Sequence, residues 1–326
     1  MKQYFLSVLM LCMTLGLSAQ SYHVATDMKK KHVLVEEFTG VRCPACPLGH
    51  QAAASLKDRY GDRISVVAIH TRSFSYNDNG PFDLRVPDGE AVAAVVGGPG
   101  SFFPNCVVNR RDWTHSGDLH MGVENMGMRA SQVMAQNAPV NLWAEAVLDE
   151  ATSEVKITIE GYFTQNVPAK APCLHLFVTQ NKVLSTQANG GMGNEYVHNH
   201  LLRDVITPAE GKELTSKKRG EYFVEHFTYT LPESYKKIKV EKKNIEMIAF
   251  VTNGQRDVIN ALNFKLTMKS DQPTGIEEVE KEQADGVQAV YNMAGMKVGT
   301  SLNVHELPRG VYLVRSAKGC EKVFVR

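Results

Sequence analysis

Several features that would assign a protein class at once are missing from this chain of 326 residues. Cysteine is scarce, with six residues in all, which excludes a small disulfide-stapled scaffold. An excess of one charge is also missing, because 36 Lys and Arg face 35 Asp and Glu. No positive field is available to gather nucleic acid, so no nucleic-acid partner is expected. The remaining composition, 43% hydrophobic and 22% charged, is that of an ordinary globular protein.

Long apolar segments are missing except at the amino end. Residues 4–17 are almost entirely apolar, but this run is too short for the roughly 30 Å of a bilayer core. Lys2 precedes the run and the small residue Ala19 follows it, which is the pattern of a secretory signal peptide over residues 1–19. The alternative is a lipoprotein anchored through Cys12, which the bulky residue before that cysteine disfavours. In either case we expect an exported protein.

The rest of the chain divides into blocks of different character. Residues 22–136 contain a buried strand over Val33–Phe38, a helix that opens at Cys43, and a second buried strand over Ile64–His70, which together make a βαβ unit. Residues 138–268 contain six or seven apolar-alternating runs with turns between them, which indicate an antiparallel β-sandwich.

The carboxyl end is shorter and simpler. Residues 269–285 are polar and acidic and are predicted to be a linker. Residues 286–326 contain three or four short strands and are predicted to form a small β domain.

The segment Cys43-Pro44-Ala45-Cys46 has the strongest chemical signal. It lies where a strand turns into a helix, and free backbone N–H groups at a helix start favour a thiolate over a thiol. The thiolate of Cys43 is the species that attacks in disulfide exchange, and Cys46 is placed to resolve the mixed disulfide. A fixed structural disulfide is the alternative. A metal site is not expected, because the pair His198 and His200 supplies only two ligands.

This region resembles the active-site region of the thioredoxin fold. The resemblance lies in the strand, the CxxC motif, and Pro104 ahead of the run Asn105–Asn109. It implies that Glu37, six positions before the first cysteine, assists proton transfer. It also implies that Pro104 is a cis-proline packed against the motif. Departures are Arg42 in place of the usual tryptophan, Pro47 early in the helix, and Cys106 near the cysteine pair.

Two further resemblances extend over the remaining blocks. The CxxC opening, the stretch Phe103–Arg110 and the stretch Tyr196–Arg203 resemble the outer membrane protein family first described at twenty-eight kilodaltons in Bacteroidota. This implies a thioredoxin-like domain joined to an immunoglobulin-like β domain at the outer membrane. Residues 290–295 and 307–315 are similar to the carboxy-terminal sorting domain of type IX secretion, which implies the type IX machinery as a partner.

We therefore expect an α/β thioredoxin-like domain, an all-β Ig-like sandwich and a small C-terminal β domain, in a protein exported to the outer membrane or cell surface. The predicted function is thiol–disulfide exchange, with thiols or disulfides of exported proteins as partners and no cofactor or metal. The predicted site residues are Cys43, Cys46, Glu37 and Pro104. The rival hypothesis is a non-enzymatic surface module that binds a surface or host ligand and keeps the pair as a structural disulfide.

Overall fold

The computed structural model describes residues 22–75, 83–167, 170–271, 287–292, 295–299, 307, 310–316 and 319–325. The predicted signal peptide lies outside the described residues, as do most of the predicted linker and parts of the predicted sorting domain. Contacts within the chain define two compact units. The larger unit holds residues 22–146 and 154–266, and the smaller one holds residues 147–153 with the described residues from 267 onward.

The described chain is mostly β-structure with a few helices, as the sequence predicted at this coarse level. The α-helices are α1 Cys46–Tyr60, α2 Pro87–Val95 and α3 Met126–Met134. The strands are β1 Val33–Thr39, β2 Ile64–His70, β3 Asn105–Val108, β4 His120–Gly122, β5 Val140–Asp149, β6 Glu154–Phe163, β7 Pro172–Gln180, β8 Val183–Ser185, β9 Tyr196–His198, β10 Leu201–Val205, β11 Lys212–Glu213, β12 Tyr222–Thr230, β13 Ser234–Tyr235, β14 Ile238–Lys239, β15 Ile245–Asn253, β16 Arg256–Met268, β17 Val287–Asn292, β18 Lys297–Gly299, β19 Gly310–Ser316 and β20 Gly319–Val325.

One long sheet organises the larger unit. Its strand order among the described residues is β12-β6-β5-β16-β15-β7-β10-β2-β1-β3-β4, with β11 paired to β7. β1 runs parallel to β2, as the predicted βαβ unit requires, and antiparallel to β3. β10 joins the edge of β2 in a parallel pair, where the amide of Ala68 donates to the carbonyl of His200 at 2.8 Å. Strands from the first and second blocks therefore share one sheet, and the predicted domain boundaries stay a prediction.

β1 is buried along its whole length, and its two faces look into different cores. Side chains alternate across a strand, so Val33 and Val35 pack with α1 and α3, whereas Leu34 and Phe38 pack with α2 and with side chains of β7 and β15. The two adjacent acids of this strand follow the same alternation. Glu37 consequently lies on the side that faces α1, and Glu36 lies on the side that faces α2.

Helix α1 covers the first of these faces. Its buried residues, Cys46, Gly49, Ala53 and Leu56, are spaced at helical intervals on one side. The helix begins at Cys46, not at Cys43 as the sequence predicted. Pro47 fits the first turn, where an N–H group is not needed for a helical hydrogen bond. Cys43 comes directly before Pro44, and the ring of that proline disfavours helical geometry at Cys43.

The described strands of the smaller unit form an antiparallel sheet in the order β18-β17-β19-β20. Val290, Tyr312, Val314 and Val325 make a small buried cluster within it. The predicted domain over residues 286–326 stays a prediction. Among the described residues of the whole chain, no helix has both the length and the apolar character needed to cross a bilayer.

Candidate functional site

The cysteine pair lies in a turn between β1 and α1. Cys43 and Cys46 form a disulfide with a Cα–Cα distance of 5.4 Å, and both residues are buried. The turn is closed by its own backbone, because the Cys43 amide donates to Gly40 at 3.1 Å and the Cys46 amide donates to the Cys43 carbonyl at 3.3 Å. Cys43 thus precedes the helix by three residues and lies near its amino end. Arg42 beside it is exposed to solvent.

Glu37 is a buried carboxyl without an ion-pair partner of opposite fixed charge. It is 1% exposed, and its Oε1 atom accepts no hydrogen bond among the described residues. Burial raises the pKa of Glu37 to about 8, so the carboxyl is largely protonated at neutral pH. The preceding residue, Glu36, does have a charged partner, because it forms a buried ion pair with Arg110 at 2.7 Å on the other face of the strand.

Gly49 allows the Glu37 carboxyl to reach the start of the helix. A Cβ atom at position 49 would overlap Oε1 of Glu37 and would lie 3.1 Å from Cβ of Pro104. The two predicted residues Glu37 and Pro104 therefore meet at the first turn of α1, directly after Cys46. Sequence reasoning missed Gly49; its signal was a glycine inside a helix, where glycine is otherwise unfavourable.

Pro104 lies immediately before β3, and its peptide bond with Phe103 is cis. β3 pairs with β1 so that Cys106 stands opposite Glu37. Cys106 is free and fully buried, and burial together with the nearby acids raises the pKa of its thiol to about 12. A thiol in this state is a poor nucleophile. Cys173 is also free and buried, and burial raises the pKa of its thiol.

A segment of the second block lies over the cysteine turn. Gln187 is buried, and its Nε2 donates to the carbonyls of Cys43 at 2.9 Å and Gly40 at 3.2 Å. The Ala188 amide donates to the carbonyl of Val41 at 2.8 Å. We call residues 187–189 the clamp segment. In the sequence this region appeared only as a polar connection between strands.

Histidines form a second group beside Glu37. His50, one turn into α1, bonds through Nε2 to Thr39 Oγ1 at 2.9 Å and through Nδ1 to the hydroxyl of Tyr196 at 2.8 Å. Its ring lies 5.7 Å from that of His198, and the ring of His198 lies 5.5 Å from that of His70.

Burial keeps these histidines neutral. It lowers the pKa of His50 to about 3 and that of His198 to about 4. His198 and His200, the pair considered as metal ligands, both line a cavity of about 40 Å³ beside Glu37 and His50. Within the described ranges, no three His, Cys, Asp or Glu side chains are grouped so as to hold a metal ion.

Three solved structures align with this one, and the alignment with a TM-score above 0.5 shows a shared fold. HBP35 of Porphyromonas gingivalis aligns with a TM-score of 0.56 and 23% identity, over 91% of this chain and 99% of that one. A protein from Agrobacterium tumefaciens, AGR_C_4864, aligns with a TM-score of 0.41 and 14% identity over 74% of this chain and 96% of that one. A domain of the outer membrane lipoprotein Omp28 from Porphyromonas gingivalis aligns with a TM-score of 0.30 and 18% identity over 40% of this chain and 90% of that one.

The family comparison is more decisive than the structural ones. No curated protein matches the chain. The family model of outer membrane protein Omp28, however, matches residues 99–270, which is more than half of the 326 residues. That family agrees with the expected export to the outer membrane or cell surface. The chain therefore belongs to the Omp28 family of outer membrane proteins.

Proposed function

We propose that this surface protein catalyses thiol–disulfide exchange on other exported proteins, at Cys43 and Cys46. The observation that carries the proposal is the buried Glu37 carboxyl beside the first turn of α1 and Pro104. A carboxyl buried without a hydrogen bond at Oε1 lowers stability, and such groups concentrate where proton transfer is needed. A disulfide with a purely structural role does not require a proton-transferring carboxyl beside it.

The first chemical step is the attack of the Cys43 thiolate on a substrate disulfide. A bond forms between the Cys43 sulfur and one substrate sulfur while the substrate S–S bond breaks. The second substrate sulfur leaves with the electron pair as a thiolate and takes a proton from water. The product of this step is a mixed disulfide between the protein and its substrate.

The second step resolves the mixed disulfide. The Glu37 carboxylate accepts the proton of the Cys46 thiol, and the Cys46 sulfur then attacks the Cys43 sulfur. The substrate sulfur leaves as a thiolate, and the protein dithiol has become the Cys43–Cys46 disulfide. A dithiol or a low-molecular-weight thiol restores the reduced protein. The same steps in reverse oxidise a substrate dithiol.

Substrate access involves the surroundings of the turn. Cys43 is only 2% exposed, so attack on its sulfur requires a small displacement of its neighbours, among which is the clamp segment. In this proposal Pro104 presents backbone groups to an extended substrate segment. The exposed side chains of Leu48, Phe74 and Phe102 suit the apolar residues of a polypeptide that has not finished folding.

The redox poise of the pair separates this function from the rival, non-enzymatic surface module. The protein without residues 1–19 is equilibrated with glutathione buffers, with Cys43→Ser as the control. A potential between about −120 and −270 mV, together with Cys43-dependent turnover of a protein disulfide, is the expected result. A pair that stays oxidised below about −300 mV, or one that turns over no substrate, would contradict the proposal.

The carboxyl-terminal unit is proposed to direct surface delivery through type IX secretion. The support is the resemblance of residues 290–295 and 307–315 together with the antiparallel sheet of β17–β20. Removal of residues 286–326 is expected to retain the protein inside the outer membrane, as measured by protease accessibility on intact cells. Unchanged surface exposure of the truncated protein would contradict this role.

A further inference from the structure

We propose that His50 and Tyr196 form a proton relay between the buried Glu37 carboxyl and solvent. The inference rests on the proposed exchange activity and adds a component from the second block of the chain. Among the described residues, the hydrogen bonds of the two side chains join them to Thr39 and to each other and not to a sulfur atom, so both act through Glu37 as positioning and relay residues.

The first step of the argument is that Glu37 needs a route to water. The carboxyl is enclosed by β1, α1 and the Pro104 turn, and burial holds most of it in the protonated form at neutral pH. Before it can accept a proton from Cys46, it must release the one that it carries. A buried acid releases a proton quickly only through groups that donate and accept in sequence.

The second step is that His50 lies on the path that leads outward. Its Nε2 atom is 3.9 Å from Oε1 of Glu37, too far for a direct hydrogen bond. Both side chains line the same cavity of about 40 Å³, which is large enough for a bridging water. On the far side of the ring, Nδ1 meets the hydroxyl of Tyr196 at 2.8 Å, and Tyr196 is partly exposed to solvent.

The third step is the direction of the hydrogen bonds. The hydroxyl of Thr39 can donate to Nε2 of His50, which leaves the ring proton on Nδ1 to be donated to Tyr196. In the transfer, the Thr39 hydroxyl turns away from Nε2, and the proton of Glu37 passes through the bridging water to the lone pair that this frees, while the Nδ1 proton moves to the Tyr196 oxygen. The Tyr196 hydroxyl proton passes to solvent, so Glu37 becomes a carboxylate and His50 stays neutral in its other tautomer.

The other histidines of the group do not offer such a route. His198 bonds through Nε2 to the carbonyl of Thr186 at 3.2 Å and is 3% exposed. His70 is also 3% exposed, and neither of its ring nitrogens has a partner among the described residues. His200 lines the cavity, but no hydrogen bond joins it to Tyr196 among the described residues. His226 bonds to Thr158 and does not line the cavity, which makes it a suitable control position.

The experiment follows the two sulfur steps separately. The reduced full chain without residues 1–19 is mixed rapidly with dithiobis-nitrobenzoate, an aromatic disulfide. Attack by Cys43 releases one coloured thiolate, and resolution by Cys46 releases a second one in a later phase. The variants are His50→Ala and Tyr196→Phe, with His226→Gln as the matched control and Cys46→Ser as the reference without a second phase.

The relay predicts that His50→Ala slows the second phase by about tenfold or more, while the first phase and the reduction potential stay unchanged. Added imidazole restores the rate in that variant, which would not happen if His50 only supported the fold. Tyr196→Phe is expected to slow the second phase about threefold, and His226→Gln is expected to leave it unchanged.

The outcomes distinguish this inference from the proposed function. An unchanged second phase in His50→Ala, or a slow phase that imidazole does not restore, overturns the relay even where wild-type protein turns over disulfide substrates. A wild-type protein that turns over no protein disulfide contradicts the exchange function. The relay is still tested in that case, because the two-phase assay compares the rate of the second thiolate release between wild type and His50→Ala. Absence of a second phase in wild type overturns both.

Discussion

At the scale of residues, the two adjacent acids of β1 have opposite environments although both are buried. Glu36 is paired with Arg110, whose guanidinium also lies 4.9 Å from the ring of Phe250. Glu37 faces α1, and its Oε1 atom has no hydrogen-bond partner among the described residues. The alternation of side chains across a strand separates them, and burial leaves the second acid with a raised pKa.

The first prediction concerns the pH dependence of stability in the oxidised protein. The folded-state pKa of Glu37 is about 8, above its usual value of 4.5, so the folded state binds more protons than the unfolded state between these limits. The free energy of unfolding therefore falls as pH rises, by up to about 2 kcal/mol between pH 6.5 and 8. Glu37→Gln is expected to remove this slope in urea unfolding curves.

The range from pH 6.5 to 8 is chosen because the buried histidines change the free energy of unfolding only at lower pH. Their pKa values are lowered, so their contribution to the free energy of unfolding is lost as pH falls below about 6.5. An equal slope in wild type and Glu37→Gln between pH 6.5 and 8 would show that Glu37 does not hold a raised pKa.

The second prediction concerns Gly49. A helical Gly→Ala change normally stabilises a protein by about 1 kcal/mol. At position 49 the new Cβ overlaps the Glu37 carboxyl and presses on Pro104, so we expect a loss of about 1–3 kcal/mol instead. Gly127→Ala in α3 is the matched control, because its Cβ would meet Leu56 at an ordinary 3.7 Å. Equal effects of the two changes in thermal unfolding would refute the packing argument.

At the scale of elements, the cysteine turn is held by a segment that the sequence places about 140 residues away. The clamp segment supplies the buried amide of Gln187 to two carbonyls of the turn. β8 and β9 pair with each other on either side of this connection. The turn that contains the cysteine pair is therefore ordered by contacts from both blocks of the chain.

The third prediction tests the clamp segment. Gln187→Ala removes a buried donor from the carbonyls of Gly40 and Cys43, which is expected to cost about 1–3 kcal/mol. The loosened turn should also let dithiothreitol reduce the disulfide faster. Asn189→Ala is the milder control, because its bond to Pro44 is exposed. If both variants are reduced at the wild-type rate, the clamp segment does not limit access to the cysteines.

At the scale of the whole molecule, the described residues 22–146 and 154–266 behave as one compact unit. The Arg110–Glu36 pair lies within it, and Asn109 donates through Nδ2 to the carbonyl of Val258 at 2.9 Å. The Asn109 bond joins the turn after β3 to β16, and the Arg110 pair joins the same turn to β1. A unit connected in this way is expected to unfold in one cooperative transition.

The fourth prediction uses the two tryptophans as reporters of that transition. Arg110→Met leaves Glu36 charged and unpaired, which is expected to cost about 3–5 kcal/mol. Trp113 and Trp143, observed separately in single-tryptophan variants, should report the same shifted midpoint. Adding Glu36→Leu should recover most of the loss. Different midpoints for the two tryptophans would show that the two blocks unfold independently.

The sequence by itself determined the local structure of the site. The apolar composition of β1 and β2, the cysteine pair after a strand, and the spacing of Glu37 to Cys43 are all local patterns. They identified residues that the fold then brings to the start of α1. Local patterns fix such features because strand and helix periodicity depend on neighbours in the chain.

Only the tertiary structure decided which groups surround those residues. Nothing in the sequence distinguishes the partner of Glu36 from that of Glu37, and nothing links Gln187 or Tyr196 to the cysteine turn. The helix start at Cys46 also depended on local geometry that the motif alone does not specify. The contacts of Gln187 and Tyr196 arise because β10 joins the edge of β2 and carries the preceding segment with it. Pairing between distant strands is set by packing across the whole sheet, which sequence periodicity does not encode.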